Sequence, residues 1–184
     1  MGEMKDRMLR GQLYRVDEEL AAELRRCALL VERYNATSTT QEPLREQLLR
    51  ELLGSVGPGV VIRPPCYFDY GYQTTIGANT FVNFGAVILD VGRVSIGANV
   101  QIGPNVQFLT PTHPLDAEVR RSGLEAAEPI TVGDDVWLGG GVVLCPGVSV
   151  GSRSVIGAGS VVTRDVPADV VAVGNPCRVV RQLA

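Results

Sequence analysis

Residues 130–163 read ITVGDDVWLGGGVVLCPGVSVGSRSVIGAGSVVT and contain an aliphatic residue at every sixth position. These six anchors are Val132, Leu138, Leu144, Val150, Ile156 and Val162. The same period runs upstream through Ile76, Val82, Ile88 and Val94, and then, displaced by two residues, through Ile96, Ile102 and Phe108. The displacement indicates a longer corner near Val91-Gly92-Arg93.

A six-residue period fits neither an α-helix nor a simple β-hairpin, but it is typical of a solenoid in which each hexapeptide forms one short flat side. The anchors point inward, and the Gly or Asn that follows most of them permits a tight corner. Each anchor contributes about 1.5–3 kcal/mol when fully buried. The pattern therefore predicts a mainly β protein whose residues 55–184 form a parallel β-solenoid.

Residues 1–54 have helical rather than hexapeptide spacing and are predicted to form a helical head. One helix begins after Asp17, a plausible N-cap, with apolar residues at Leu20, Leu24, Cys27, Leu30, Val31 and Tyr34. A second helix is predicted from Pro43 to Leu53, with Gly54 just past its end. Because each helix has only one apolar stripe, the resulting helical hairpin should pack on the solenoid.

The hexapeptide pattern is interrupted between Phe108 and Ile130 by a polar, proline-rich stretch, predicted as a protruding loop over residues 109–129. Long loops on rigid scaffolds often carry function, and this one contains the only histidine, His113. After the last repeat, VPADVVAVGNPCRVVRQLA is predicted to add a strand-like C-terminal cap.

Composition excludes several classes of function. The 184 residues carry a net charge of −3, which argues against general binding to nucleic acid or to anionic membranes. One histidine per chain cannot build a multi-histidine metal site, including the three-histidine zinc site of a β-helix carbonic anhydrase, so no metal is expected.

Cysteine usage and the first residues bear on location. Four cysteines are widely spaced without a CxxC pair, which favours a reduced, cytoplasmic protein. The start MGEMKDRMLRG has charges where a signal peptide needs an apolar stretch, and no apolar run approaches the roughly 20 residues of a membrane span. We expect a soluble protein without a secretory leader.

Four segments together resemble a known family. They are GQLY with YNAT in the head, YFDYGYQTTIGANTFVNFGAVILD, the loop motif TPTHPLD, and PITVGDDVWLGGGVVLCPGVSVGSRSVIGAGSVVTRDVP followed by GNPCRVV. From about Gly11 onward the chain resembles the hexapeptide-repeat sugar O-acetyltransferases of the maltose/galactoside acetyltransferase group. The resemblance implies a left-handed parallel β-helix, with acetyl-CoA as co-substrate and no metal. It also implies a homotrimer with acetyl-CoA sites between neighbouring subunits.

Acetyl transfer from a thioester to a hydroxyl needs a base and a group that stabilises the developing oxyanion. Histidine is the usual base near neutral pH, and the THPLD context makes His113 resemble the family's general base. Pro111 and Pro114 flank it and restrict the backbone. Asn83, in FVNF, matches a family residue near the histidine that positions acceptor or acetyl group. From spacing alone, Asn83 is equally well a corner residue.

Three acidic residues match acceptor-binding positions by the same resemblance. Asp69, in YFDYG, aligns with the sugar pocket, where a carboxylate accepts hydrogen bonds from hydroxyl groups. Glu125 resembles a loop acid that supports the histidine or the sugar, although a solvated loop charge is an equal reading. Asp17 is a further acceptor candidate, beside its reading as a helix cap.

For coenzyme A, the resemblance points to Trp137, Gly139, Gly140, Ala158, Thr163, Arg164, Arg178 and Arg181. Gly139-Gly140-Gly141 lets a backbone amide approach the thioester oxygen, and Ala158 leaves a slot for pantetheine. The three arginines suit the phosphates, although arginines of this kind also serve solubility. Gly140 stands where galactoside-type members have Ser and, with Asp69, favours the maltose-type branch.

The predicted function is therefore acetyl-CoA-dependent O-acetylation of a maltose- or glucose-type sugar, through direct attack assisted by His113. Alternatives are another acceptor (a chitooligosaccharide, an amino sugar or serine) or a non-catalytic β-solenoid binding protein. A covalent role for Cys145 is disfavoured, because it follows anchor Leu144 at a corner with no second histidine to activate it.

Overall fold

The computed structural model describes residues 2–183, so that Met1 and Ala184, at the outer ends of the predicted head and solenoid, lie outside it. Three helices form the head: α1 (Glu3–Leu9), α2 (Glu18–Asn35) and α3 (Glu42–Leu52). Asp17 caps α2, since its Oδ1 accepts a hydrogen bond from the Leu20 N–H at 3.0 Å. The predicted hairpin is confirmed, whereas α1 was not predicted. None of the helices in this range is both long and apolar enough to span a bilayer.

The body winds in coils of three short strands each. Coils 1 to 3 contain β1 (Ser55–Val56), β2 (Val61–Ile62), β3 (Cys66–Phe68), β4 (Thr74–Ile76), β5 (Phe81–Val82), β6 (Ala86–Leu89), β7 (Val94–Ile96), β8 (Gln101–Ile102) and β9 (Gln107–Leu109). The loop that follows contains β10 (Pro111–Thr112), α4 (Ala117–Arg121) and β11 (Ala126–Ala127). Coils 4 and 5 and the cap contain β12 (Ile130–Val132), β13 (Trp137–Leu138), β14 (Val143–Leu144), β15 (Ser149–Val150), β16 (Val155–Ile156), β17 (Val161–Val162), β18 (Val170–Val173) and β19 (Arg178–Gln182).

Equivalent strands of successive coils pair in parallel and form three sheets, one for each side of a prism. The first sheet is β1-β4-β7-β12-β15, the second runs from β2 through β5, β8, β13 and β16 to β18 and β19, and the third is β3-β6-β9-β14-β17. Only the last pair, β18 with β19, is antiparallel among these sheets. The hexapeptide anchors are buried in one continuous core, to which α2 and α3 add Leu30, Val31, Leu48 and Leu52.

The glycines after the anchors act differently from the prediction. A Cβ on Gly139 would lie 2.5 Å from the Ala158 nitrogen of the next coil, and one on Gly133 would lie 2.7 Å from the Ser152 nitrogen. These glycines are needed because the coils approach closely, not because of an unusual φ. The left-handed conformation falls two residues later, as at Gly141 with φ +68°.

Candidate functional site

A coil made of three hexapeptides has 18 residues, and every coil that departs from this length does so at the same corner of the prism. Thr131 pairs with Ser149, eighteen positions on, whereas Thr75 pairs with Ser95, twenty positions on. Ser95 in turn pairs with Thr131, beyond the protruding loop. The extra residues lie in the segments 69–73, 90–93 and 110–129, which connect the third sheet to the first. We call this the long corner, and it includes the predicted displacement near Val91-Gly92-Arg93.

A buried carboxylate organises the long corner. Asp90 is fully buried and accepts hydrogen bonds from the backbone N–H of Tyr70 (2.9 Å) and Gly71 (3.0 Å) and from Thr74 Oγ1 (3.0 Å). Burial raises the pKa of Asp90, while these donors act in the opposite direction. The carboxylate therefore fixes the backbone immediately after Asp69.

The loop that carries His113 begins and ends as a two-stranded ladder. In it, Pro111 pairs with Ala127 and Thr112 with Ala126, so that His113 and Glu125 occupy the next opposed positions. Both line an open cleft of about 530 Å³, whose other lining residues are Arg15, Val16, Arg120 and Gly123. Among residues 2–183, no hydrogen bond or ion pair joins the His113 imidazole to the Glu125 carboxylate. The geometry thus places a candidate base and a carboxylate on one cleft.

Local contacts fix the turn that follows the histidine. Asp116 caps α4 by accepting hydrogen bonds from the N–H groups of Glu118 (2.8 Å) and Val119 (2.9 Å). The guanidinium of Arg120 donates to the carbonyl oxygens of Pro114 (2.9 Å) and Leu115 (3.2 Å). Arg120 was not predicted, because nothing in the sequence around it distinguishes it from an ordinary solvated arginine.

Asp69 lies on the long corner, half-buried and close to other acids. Burial, together with the charges of Asp90 and Glu125, raises its pKa from the ordinary 3.8 to about 6. No hydrogen bond within the described chain compensates this carboxylate, in contrast to Asp90. A carboxylate held in this way is well suited to accept hydrogen bonds from an added polyol.

Replacing Asp69 by Asn should therefore stabilise the protein, by an amount that depends on pH. Below pH 3.8 the carboxyl is neutral in both states. Between pH 3.8 and about 6 the unfolded chain ionises first, so wild-type stability falls, and above pH 6 the difference stays constant. The gain for Asp69→Asn should reach about 1 kcal/mol at pH 7, after discounting for exposure. Urea unfolding at pH 4, 5, 6 and 7, at one protein concentration, measures it. A gain that is the same at all four values would contradict the assignment.

Asp17 serves as the cap of α2, as predicted, but it is not among the residues that line the cleft. Arg15 and Val16, which precede it, do line the cleft. Its role toward an acceptor stays a prediction.

Other predicted residues lie on or beside a second corner, which connects the second sheet to the third. It consists of 83–85, 103–105, 139–141 and 157–159, and we call it the glycine corner. The Gly140 N–H makes no backbone hydrogen bond within residues 2–183, whereas its carbonyl accepts from the Gly159 N–H at 2.9 Å. Trp137, just before this corner on β13, is 56% exposed. This corner therefore offers a free amide donor and an exposed ring beside the small side chain of Ala158.

Asn83 is the glycine-corner residue of coil 2, aligned with Gly103 and Gly139 in the coils above. Its Oδ1 accepts a hydrogen bond from the Phe84 N–H at 2.9 Å, which supports the reading of Asn83 as a corner residue. Its side-chain N–H groups make no hydrogen bond in the described chain, so they remain available as donors. Arg63 was not predicted from the sequence; its guanidinium lies 5.2 Å and 5.0 Å from the ring centroids of Phe81 and Phe84.

The remaining predicted coenzyme residues lie at the C-terminal end of the solenoid. Thr163 and Arg164 follow β17, above the long corner, and Arg178 and Arg181 lie on β19 at the edge of the second sheet. All three arginines are exposed, and none of them forms an ion pair within residues 2–183. Arg178 Nη1 donates only to the carbonyl oxygen of Cys177, at 2.7 Å. This end therefore presents unpaired positive charge.

A single chain does not assemble the whole predicted site. His113, Asp69 and Glu125 lie on the long corner, whereas Asn83, Gly139, Gly140 and Ala158 lie on the glycine corner. The third sheet separates these two corners.

Two family models match the chain. One, described as the maltose acetyltransferase hexapeptide capping motif, matches residues 7–57, and one described as bacterial transferase hexapeptide, with six repeats, matches residues 129–164. Nodulation protein L of Rhizobium meliloti is 47% identical over 95% of this chain and 96% of that protein. The galactoside O-acetyltransferase of Escherichia coli is 41% identical over 98% of this chain and 89% of that protein.

Solved structures of hexapeptide-repeat acetyltransferases are also similar to this chain. A maltose O-acetyltransferase from Clostridium difficile is 45% identical, with a TM-score of 0.97, and the match covers 98% of this chain and 97% of that one. A hexapeptide-repeat acetyltransferase from Vibrio cholerae, solved with acetyl coenzyme A, is 38% identical with a TM-score of 0.92 over the full length of both chains. The fold is thus the predicted left-handed parallel β-helix. The chain belongs to the maltose and galactoside O-acetyltransferase family of hexapeptide-repeat proteins.

Proposed function

We propose that this protein is an acetyl-CoA-dependent O-acetyltransferase that acts on a hydroxyl of a maltose- or glucose-type sugar. Its relatives are named for acetyl transfer to galactoside and maltose, and the Vibrio cholerae relative was solved with acetyl coenzyme A. A reducing cytoplasm is the proposed location, and the four free thiols among the described residues support it.

The observation that carries the proposal is the distribution of the site over two corners. A cleft lined by His113 and Glu125 lies on the long corner, while the free Gly140 amide and the exposed Trp137 lie on or beside the glycine corner. A neighbouring subunit that sets its glycine corner against the long corner completes the site. Three such contacts close a cyclic trimer, the proposed assembly.

In the proposed reaction, the His113 imidazole removes the proton from the attacking sugar hydroxyl. The oxygen then forms a C–O bond to the acetyl carbonyl, and the Gly140 N–H of a neighbouring subunit donates to the developing oxyanion. Collapse of this intermediate breaks the C–S bond, and the imidazolium returns the proton to the leaving thiolate of coenzyme A. The products are the sugar acetyl ester and free coenzyme A.

The acceptor half of the site is acidic, with Glu125 opposite His113 on the cleft and Asp69 on the same long corner. Carboxylates accept hydrogen bonds from the neighbouring hydroxyl groups of a sugar ring and so present one of them to the base. Asn83 of a neighbouring subunit, whose amide N–H groups are free, would donate from the opposite side.

Release of thiol from acetyl-CoA tests the proposed function. The panel should contain maltose, glucose, galactosides, a chitooligosaccharide, amino sugars and serine, with no added metal. We expect acceptor-dependent thiol release with maltose or glucose, and the acetyl ester as product. Binding of acetyl-CoA without release for any acceptor would contradict the proposal and favour a non-catalytic solenoid.

Replacing Arg178 by Ala should raise the KM for acetyl-CoA about 5–50-fold while kcat changes little, because a charged hydrogen bond to phosphate is lost. Arg153→Ala is the matched control. That arginine is also exposed, but its guanidinium is already paired with Asp169 at 2.6 Å and 2.7 Å. Steady-state kinetics at saturating acceptor measures kcat and the KM for acetyl-CoA in both variants. An unchanged KM for Arg178→Ala removes this residue from the phosphate site.

A further inference from the structure

Tyr14 connects the helical head to the loop that carries His113. Its side chain is fully buried, and its hydroxyl donates to Glu125 Oε1 at 2.5 Å. The two backbones also pair, with Tyr14 N–H donating to the Glu125 carbonyl at 2.9 Å and Glu125 N–H donating to the Tyr14 carbonyl at 3.1 Å. Three hydrogen bonds therefore join residues that are 111 positions apart in sequence.

Glu125 lies between two partners. On one side it pairs with Tyr14, and on the other it occupies the position opposite His113 in the β10–β11 ladder. The Tyr14 ring packs in a buried cluster with Tyr70, Val91 and Ala127. This packing leaves the phenol little freedom, so the carboxylate oxygen bound to it is held in place as well.

The second carboxylate oxygen of Glu125 makes no hydrogen bond within residues 2–183, and Glu125 lines the cleft. One oxygen is thus committed to Tyr14, and the other remains available to a molecule in the cleft. Burial, with a further contribution from Glu125, raises the pKa of Tyr14 far above its usual range, so the hydroxyl remains a donor at any working pH.

We propose that Tyr14 is a positioning residue for the acceptor, acting through Glu125, whose carboxylate it holds opposite His113 with one oxygen free for an acceptor hydroxyl. This inference rests on the proposed function for the identity of the acceptor. The placement of the carboxylate relative to the imidazole does not depend on it.

Tyr14→Phe removes only the hydroxyl and keeps the buried ring. We expect kcat/KM for the acceptor to fall about 5–50-fold, because a charged hydrogen bond that orients the acceptor is lost. The KM for acetyl-CoA should stay within about twofold, because phosphate and pantetheine contacts lie elsewhere. In a Glu125→Gln background, Tyr14→Phe should cost far less than in the wild type.

Tyr72→Phe is the matched control. The Tyr72 hydroxyl also ties the head to the body, donating to Glu23 Oε2 on α2 at 2.8 Å, but neither residue lines the cleft. If Tyr14 only stabilised the fold, both variants would lower the melting temperature and change activity similarly. We expect similar melting temperatures, with the loss in acceptor kcat/KM confined to Tyr14→Phe.

A second readout needs no activity. His113 is the only histidine, so one set of imidazole NMR signals reports on this loop. At fixed pH, Tyr14→Phe should shift these signals and Tyr72→Phe should not, because only the former frees the carboxylate opposite the imidazole. If the wild type acetylates no acceptor, the proposed function fails. The imidazole NMR signals then decide alone whether Tyr14 holds the Glu125 carboxylate opposite His113. Unshifted signals, or equal effects of the two variants, overturn the inference.

Discussion

Replacing His113 by Ala is expected to lower turnover about 10²–10⁴-fold, the usual contribution of a positioned general base. No other imidazole exists in the chain to replace it, and the proposed role of Asp69 and Glu125 is to accept hydrogen bonds from the acceptor. The affinity for coenzyme A should be retained, because the predicted coenzyme residues lie on or beside the glycine corner, after β17 and on β19, and not on the loop that carries His113. Initial rates at saturating acetyl-CoA and acceptor, together with direct titration of coenzyme A, measure both quantities.

The control for this variant is Leu115→Ala on the same loop. Leu115 is 96% exposed, so its truncation changes neither packing nor charge, and activity should stay within about twofold. His113 is exposed too, so its loss should leave thermal unfolding unchanged. Full activity in His113→Ala would remove the imidazole from the mechanism. An equal loss in Leu115→Ala would show that loop conformation, and not the base, is being measured.

The solenoid could be predicted from sequence because each coil repeats the same local requirement. Every anchor from Val132 to Val162 must be small enough and apolar enough to fill the same inner position, and all of them are buried. A two-residue displacement in this pattern near Gly92 sufficed to locate the long corner. The physical reason is that register in a parallel stack is transmitted from coil to coil, so local spacing carries global information.

The loop and the first helix carry no such repetition. β10 and β11 are two residues each, too short to show an alternating pattern, and they pair across thirteen intervening residues. The partnership of Tyr14 with Glu125 depends on how the head folds back onto the body. Helix α1 buries only Met8 among its seven residues, so its sequence reads as a charged, solvated stretch.

The division of the site between corners follows from register, which the sequence alone left undetermined. Once Val82 is known to pair with Ile102, and Ile102 with Leu138, Asn83 must align with Gly139 and not with the His113 loop. The resemblance implied acetyl-CoA sites between neighbouring subunits, but it did not say which of the predicted residues share a corner. The pairing of strands places the predicted residues on two different corners of the chain.

Two inactive variants should therefore restore each other when mixed in one trimer. His113→Ala has an intact glycine corner, and Asn83→Ala, expected to lose about 10²-fold in turnover with its donor, has an intact long corner. When equal amounts assemble at random, about a quarter of the interfaces pair an intact His113 with an intact Asn83. Purification of co-expressed chains over two different affinity tags keeps only mixed trimers, each with one such interface in three, so these trimers should recover about a third of wild-type activity.

The negative control combines His113→Ala with Asp69→Ala. Both changes lie on the long corner, so every site in a mixed trimer contains one of them, and activity should not exceed the mean of the two variants. If the site were complete within one chain, neither mixture would recover, because every chain carries a defect. Recovery by His113→Ala with Asn83→Ala, but not by His113→Ala with Asp69→Ala, would assign the two corners to different subunits. Failure of both mixtures in verified mixed trimers would place the whole reaction within one chain.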